Sequence, residues 1–147
     1  MFKKLLIALI AAAIVALAYC GINKLIPNPP VETGIKKIYI TLIDEISDEV
    51  LMDKVEFSTD AETLGEFFDE DHEGISIVLG ESAFGHSIDA FNGLISNLNN
   101  PTGPWIMYSS ENNQSCMLNA FCLGIDDLPI YDGDFFVFTY SDISFFE

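Results

Sequence analysis

The sequence contains no arginine and almost no lysine after position 38. Five of its six lysines precede that position, and Lys54 is the only later one, while the chain carries 23 acidic residues. Proteins that bind nucleic acids neutralise phosphates with basic side chains, so this composition excludes nucleic acid as a partner. It also predicts repulsion from anionic lipid headgroups, so any membrane attachment must come from the N-terminus. The acidic residues themselves are typical of a solubilising surface.

The residue patterns of common enzymes are also missing. His72 and His86 are the only histidines, and Gly80-Glu81-Ser82-Ala83 lacks the G-x-S-x-G elbow of serine hydrolases. No carboxylate lies in an apolar run that would raise its pKa for acid–base work. We therefore expect no enzymatic activity, no catalytic residues and no cofactor.

Four aspartates fall within nine positions, at Asp126, Asp127, Asp132 and Asp134. Asp132-Gly133 is a strong signal for a tight hairpin turn, because both residues tolerate positive φ. A calcium loop is the alternative, but the spacing lacks the alternating oxygen ligands and the bidentate glutamate of such loops. We predict a turn and no metal site.

Cysteine is scarce, and its three positions carry different expectations. Cys116 and Cys122, six residues apart, could form a disulfide in an oxidising compartment, remain as buried thiols, or contribute two ligands to a metal site. We predict the disulfide. Cys20 lies in Leu17-Ala18-Tyr19-Cys20-Gly21, which resembles the lipid-attachment site of bacterial lipoproteins although Tyr19 is larger than usual.

One long hydrophobic run is present, at the N-terminus. Lys3 and Lys4 precede an uncharged stretch over residues 5–23, which as an apolar helix would span about 28 Å, close to a bilayer core. The same pattern fits an export signal, and the lysines favour export of the remainder. Lipid attachment at Cys20, an uncleaved single span and simple secretion all remain open. We expect the extracytoplasmic face of a bacterial membrane.

The remaining chain divides into a tether and one domain. Residues 1–23 are the leader, residues 24–35 are a proline-rich tether, and residues 36–147 form a single domain. Alternating apolar residues predict a first hairpin from strands over 38–44 and 50–58. A capping box at 59–62 then predicts a helix that carries Leu64, Phe67 and Phe68 on one face and ends near Gly74.

Five further strands follow in the predicted order, over residues 75–79, 84–88, 105–109, 117–122 and 135–140. The last of them is apolar on both faces, which is typical of a central, covered strand. We predict an α+β fold with one main helix packed on one face of a sheet.

Several short motifs then resemble one family, the transcobalamin C-terminal-like domains of Gram-positive cell-surface proteins. The motifs are GPWIMY (103–108), SIDAFNGL (87–94), GIDD (124–127) and DGD (132–134) with the strand ending at Tyr140. The resemblance implies a β-grasp-like mixed sheet and a binding role without catalysis. In the transcobalamin relatives this domain covers one face of a corrinoid.

The strand after Pro104 holds the best candidates for contact with a ligand. Alternation puts Trp105 on one face and Tyr108 on the other, and polar loops flank the strand. We therefore assign binding to Trp105, Tyr108, Asn92 and Asn112, while a tryptophan that fills the core is the alternative. An aromatic pocket at Trp105 would indicate a small ligand, and a flat apolar patch would indicate a protein or wall partner.

Overall fold

The computed structural model describes residues 30–142, which form a mixed α+β domain. The predicted leader, Cys20 and most of the tether lie outside this range. The elements in chain order are β1 (Lys36–Asp44), β2 (Glu49–Thr59), α1 (Leu64–Asp69), β3 (Ile77–Ser82), β4 (Gly85–Phe91), β5 (Leu94–Ile95), β6 (Trp105–Ser109), α2 (Gln114–Asn119) and β7 (Phe135–Ser141). No helix among the described residues is long and apolar enough to cross a membrane.

The strands form two sheets. The larger has the order β2-β1-β7-β6, and β7 runs parallel to β1 and antiparallel to β6. The smaller is an antiparallel sheet of β3, β4 and β5. The predicted first hairpin is confirmed, since β1 and β2 pair in antiparallel register from Lys36–Thr59 to Asp44–Glu49. The last strand is central, as its apolar sequence predicts.

The hydrophobic core lies between one face of the larger sheet, α1 and the smaller sheet. β1 and β7 contribute alternate residues to it, including Leu42 and Phe138, which are opposite one another in the register. Phe138 contacts the rings of Phe68, Phe91 and Tyr108. The period-2 alternation of these strands therefore separates a core face from an outer face.

Helix α1 packs on the core side as predicted, but it begins and ends elsewhere. Its N-cap is Thr63, whose hydroxyl accepts from the Glu66 amide, while the Glu66 carboxylate accepts from the Glu62 amide. The capping signal at 59–62 was wrong as a helix start, because the Thr59 hydroxyl instead closes a turn onto Ala61. The helix ends at Asp69 and not near Gly74, which agrees with the unfavourable acidic residues at its C-terminus.

The predicted strand over 117–122 is wrong, because residues 114–119 form helix α2. Asn113 caps this helix with its side-chain oxygen, which accepts from the amides of Ser115 and Cys116. Ala120 then ends it in a left-handed conformation. The short strand β5 has no counterpart among the predicted strands.

A buried lysine closes one end of the core face of β1. The Lys36 side chain is 1% exposed, and its ammonium donates to the carbonyls of Glu32 (2.8 Å), Gly34 (3.2 Å) and Asp60 (3.5 Å). Three carbonyls thus replace the water around a charge that would otherwise be costly to bury.

Substituting Lys36 by methionine is expected to lower the free energy of unfolding by about 2–3 kcal/mol, because a buried charged donor and its three partly buried hydrogen bonds are lost. Lys37→Met is the matched control. Lys37 is exposed and pairs with Glu56, so its loss should lower the free energy of unfolding much less than the loss of Lys36. Urea unfolding of both variants measures the difference. Equal losses of stability in the two variants would contradict the role assigned to the three carbonyls that accept from Lys36.

Candidate functional site

One long segment of the domain contains a single acidic residue. Between Ala90 and Ile125, Glu111 is the only charged residue. The segment comprises β5, β6, α2 and the loops between them, and we call it the neutral segment. All four residues predicted to bind a ligand lie within it. The scarcity of charge in this segment is visible in the sequence, but the predicted binding residues were chosen for their aromatic or amide side chains.

Trp105 and Met107 lie on the outer face of the larger sheet. Their neighbours Ile106 and Tyr108 pack against the core, so the alternation turns Trp105 and Met107 away from it. Trp105 is half-buried, and a Cβ added at Gly103 would come within 3.2 Å of its ring. Met107 is 39% exposed. Trp105 therefore does not fill the core under the helix.

Tyr108 is turned to the core and makes a fixed internal contact. Its hydroxyl donates to the carbonyl of Leu123 at 2.7 Å, and its ring lies against Phe138. Burial, with a smaller contribution from the charge of Asp126, raises the pKa of Tyr108 to about 12. The structure therefore places Tyr108 on the opposite face from Trp105.

The side chains of Asn92 and Asn112 form hydrogen bonds with main-chain groups. Asn92, at φ 46° in the turn after β4, accepts from the Ser76 amide and donates to the Gly74 carbonyl. Asn112 donates to the Gly133 carbonyl and accepts from the Phe135 amide. Because each side chain is occupied by main-chain groups of a different segment, the structure does not bring the two asparagines together with Trp105 as one site.

The outer face of the larger sheet carries further aromatic and apolar groups. Tyr39 and Phe135 are opposite one another in the register, as are Thr41 and Val137. Met107 lies in the next strand, opposite Thr139. Among the described residues, the side chains of Tyr39, Phe135, Val137, Trp105 and Met107 are outside the core cluster. We call these five residues the outer sheet face.

Positive charge lies at one end of the outer sheet face. The Lys54 ammonium is 5.4 Å from the centroid of the Phe135 ring, and Lys37 pairs with Glu56 at 2.8 Å. The Tyr39 hydroxyl donates to the same glutamate at 3.1 Å. These hydrogen bonds lower the pKa of Glu56 and raise the pKa values of Lys37 and Tyr39.

A polar cavity of about 460 Å³ opens beside the smaller sheet. Ser87 and Asp89 line it from β4, Ile95 lines it from β5, and the loop after β5 contributes Asn97 and Leu98. The Asp89 carboxylate accepts from the Ser87 hydroxyl at 2.9 Å and lies over Gly80, where a Cβ would clash with it. The residues that line this cavity include no aromatic side chain.

The four aspartates of residues 126–134 do not converge. Asp132 accepts from the Lys37 amide, and the buried Asp134 accepts from Asn113 and from the Tyr131 amide. Burial raises the pKa of Asp134. Residues 30–142 contain no group of three or more His, Cys, Asp or Glu that could hold a metal ion.

Among residues 30–142, Asp126 is the member of this aspartate cluster that contacts a histidine. Its carboxylate accepts from the His86 amide at 2.8 Å and lies 2.9 Å from the His86 Nδ1. The carboxylate is also close to Gly65 and Gly85, where a Cβ would clash with it. The pair connects the start of β4 to the loop after α2, across 40 positions of sequence.

Stability is expected to fall as pH rises through the folded-state pKa of His86. The hydrogen bond and charge of Asp126 raise the pKa of His86 above 6.5, so the contact stabilises fully below that value and weakens above it. The Asp126 pKa is lowered, so the contact is also lost in strong acid as that carboxyl is protonated. Urea midpoints from pH 5 to 8, compared with those of His86→Gln, measure the effect. A constant difference across this range would contradict it.

Cys116 and Cys122 form a disulfide, with their Cα atoms 4.0 Å apart. Cys116 is buried in the core, and residues 117–121 between the two cysteines are exposed. The disulfide therefore closes the turn after α2, and the burial of Cys116 holds this turn to the domain at the end of the neutral segment.

Comparison with known proteins shows similarity to a solved structure. No protein-family model matches the chain, and no curated protein matches it either. The chain is similar to the crystal structure of a proposed metal-binding protein from Ruminococcus gnavus ATCC 29149, with 22% identity and a TM-score of 0.55. The match covers 73% of this chain and 97% of that chain. At this identity the similarity shows a shared fold.

Proposed function

We propose that this protein is a non-enzymatic binding domain, attached through its N-terminus to the outer face of a bacterial membrane, and that the outer sheet face binds a protein or wall partner. The observation that carries the proposal is the position of Trp105 and Met107 on a sheet face outside the core. A flat, apolar surface of this kind suits a macromolecular partner better than a small ligand.

The fold assignment that accompanies this proposal is a β-grasp-like domain similar to the transcobalamin C-terminal family. The strand order supports it, because a hairpin and helix are followed by a final strand that lies between β1 and β6 and runs parallel to β1. The metal binding proposed for the Ruminococcus protein is not part of this proposal, which rests on the outer sheet face; residues 30–142 offer no group of three metal-ligating side chains.

The neutral segment supports the same surface. An acidic domain repels other acidic surfaces, and this repulsion is weakest where its own acidic residues are missing. β6 belongs to the neutral segment, and Lys54 adds a positive charge beside Phe135 at the other end of the outer sheet face. The surface can therefore accept a neutral or weakly acidic partner.

Site-specific photo-crosslinking in bacterial cells tests the proposal. The full chain carries a photoreactive amino acid at Met107 in one variant and at Val78 in the control. Val78 is also exposed, but it lies on the smaller sheet. Irradiation should yield a discrete adduct from the Met107 variant alone. Absence of that adduct, or the same adduct from both variants, would contradict binding at the outer sheet face.

A small ligand in the polar cavity is the second candidate. The cavity beside Asp89 has the volume for a ligand of moderate size, and it offers both polar and apolar groups. Thermal-shift screening of the protein against corrinoids, other cofactors and glycans tests this candidate. A shift that disappears in Asp89→Ala supports it, and no shift with any compound eliminates it.

The mode of membrane attachment is part of the proposal and has its own test. Lipid attachment at Cys20 requires cleavage before that residue, whereas a single-span anchor keeps residues 1–19. Intact-mass analysis of the membrane fraction separates the two. A full-length chain that begins at Met1 would eliminate the lipoprotein version.

A further inference from the structure

The disulfide-closed turn presents three large apolar side chains to solvent. Met117, Leu118 and Phe121 are 64%, 69% and 70% exposed, and all three lie between Cys116 and Cys122. Asn119 and Ala120, the other two residues of this stretch, are exposed as well. We call residues 117–121 the apolar tip.

The apolar tip differs in its surroundings from the exposed apolar residues of the first hairpin. Ile46, in the turn between β1 and β2, and Val50, near the start of β2, are each next to a glutamate in the sequence. The apolar tip instead lies in a run without charge from Asn112 to Ile125. It can therefore enter an apolar environment without taking a charged neighbour along the chain with it.

The apolar tip is also held in a fixed conformation. The Asn113 side chain caps α2, the Asn119 side chain donates to the Ser115 carbonyl, and the disulfide closes the turn. Cys116 is buried in the core cluster, which fixes one end of the turn to the domain. A surface ordered in advance loses little conformational entropy when it is buried by a partner.

We propose that the apolar tip inserts into the interfacial layer of a lipid bilayer composed of neutral, zwitterionic lipids. The proposal rests on the membrane attachment proposed above. Three apolar side chains at the end of a compact turn suit shallow insertion, where side chains enter the boundary between headgroups and acyl chains. The net charge of −17 makes neutral lipid the required surface, because anionic headgroups would repel the rest of the domain.

Attachment at the N-terminus makes a weak insertion effective. A few apolar side chains give only marginal membrane affinity, but a chain that is already anchored meets the bilayer at high effective concentration. The predicted tether, residues 24–35, can extend at most about 40 Å. The tether therefore keeps the domain near the bilayer, and the apolar tip is the surface that fixes its orientation there.

Fluorescence quenching by bilayer lipids tests the insertion. The full chain, beginning at Met1, is reconstituted in zwitterionic liposomes with and without lipids brominated on their acyl chains. Phe121→Trp places a reporter in the apolar tip, and Phe84→Trp places one at the exposed turn between β3 and β4. The signal of Trp105, measured on the parent chain, is subtracted. Quenching at position 121 should be at least about two-fold stronger than at position 84.

The variant Leu118→Asp in the Phe121→Trp background separates insertion from mere proximity. A charge beside the reporter should reduce its quenching to the level at position 84, while flotation of the chain with the liposomes stays unchanged. A chain that floats with equal quenching at both positions would overturn the insertion and leave the membrane attachment standing. A chain that does not float would overturn both. A blue-shifted reporter that the brominated lipids do not quench would indicate burial against a second copy and would also overturn the insertion.

Discussion

Asn113→Ala is expected to lower the free energy of unfolding by about 3–5 kcal/mol, because one fully buried amide serves four hydrogen bonds. Its oxygen accepts from the amides of Ser115 and Cys116, and this cap alone contributes about 1 kcal/mol. Its nitrogen donates to the Pro129 carbonyl and to the Asp134 carboxylate. Without that donor, Asp134 would be a buried carboxylate with only the Tyr131 amide as a partner.

Asn112→Ala is the matched control for this substitution. Asn112 is the adjacent residue of the same type, and it bonds to main-chain groups of Gly133 and Phe135 at an exposed position. Water can replace its hydrogen bonds, so its loss should cost about 1 kcal/mol. Chemical denaturation followed by circular dichroism measures both variants. If the two variants were equally stable, the buried polar contact would not be the stabilising feature that its geometry indicates.

Phe138→Ala is expected to cost about 3–5 kcal/mol as well, through the cavity left in the core. The Phe138 ring is fully buried and contacts three other aromatic rings, those of Phe68, Phe91 and Tyr108. These contacts join the larger sheet to α1 and to the smaller sheet. The substitution therefore weakens the packing between all three layers of the domain.

Phe135→Ala provides the comparison within the same strand. Phe135 is half-buried on the outer sheet face, outside the core cluster, where Lys54 lies over its ring. Its removal should cost about 1 kcal/mol, because the gap it leaves is filled by solvent. Thermal unfolding of the two variants ranks them. A larger loss for Phe135 than for Phe138 would reverse the assignment of the core and outer faces.

Much of the fold could be predicted from local patterns in the sequence. The hairpin of β1 and β2 and the terminal strand β7 follow from the period-2 alternation, which separates core residues such as Phe136 from outer residues such as Val137. The helix that carries Phe67 and Phe68 follows from their spacing. These elements are specified by which face of the chain is apolar, and neighbouring residues suffice to define that face.

The region of α2 shows why two local predictions can conflict. A strand over 117–122 would separate residues 116 and 122 by about 20 Å, whereas a disulfide needs Cα atoms within about 7 Å. The predicted strand and the predicted disulfide were therefore incompatible. The observed Cα separation of 4.0 Å arises because α2 ends at Ala120 in a left-handed conformation and the chain turns back before Cys122. The asparagine cap before Ser115 was the overlooked signal.

The side-chain contacts that join separate segments of the domain depend on residues that are far apart in the sequence. The pairing of His86 with Asp126 spans 40 positions, and that of Asn113 with Asp134 spans 21. No periodicity encodes such pairs, because they depend on how the finished elements are placed against each other. For the same reason the sequence could not show that Trp105 faces outward while Tyr108 is fixed to Leu123.

The position of β7 has a consequence for how the domain acquires its structure. The strand nearest the C-terminus is inserted between the first strand and β6, so both of its neighbours have an unpaired edge until residues 135–141 are available. A chain made or exported from its N-terminus would hold these two edges open until residues 135–141 emerge. The larger sheet can therefore form in full only after β7 is available, and it cannot form gradually along the chain.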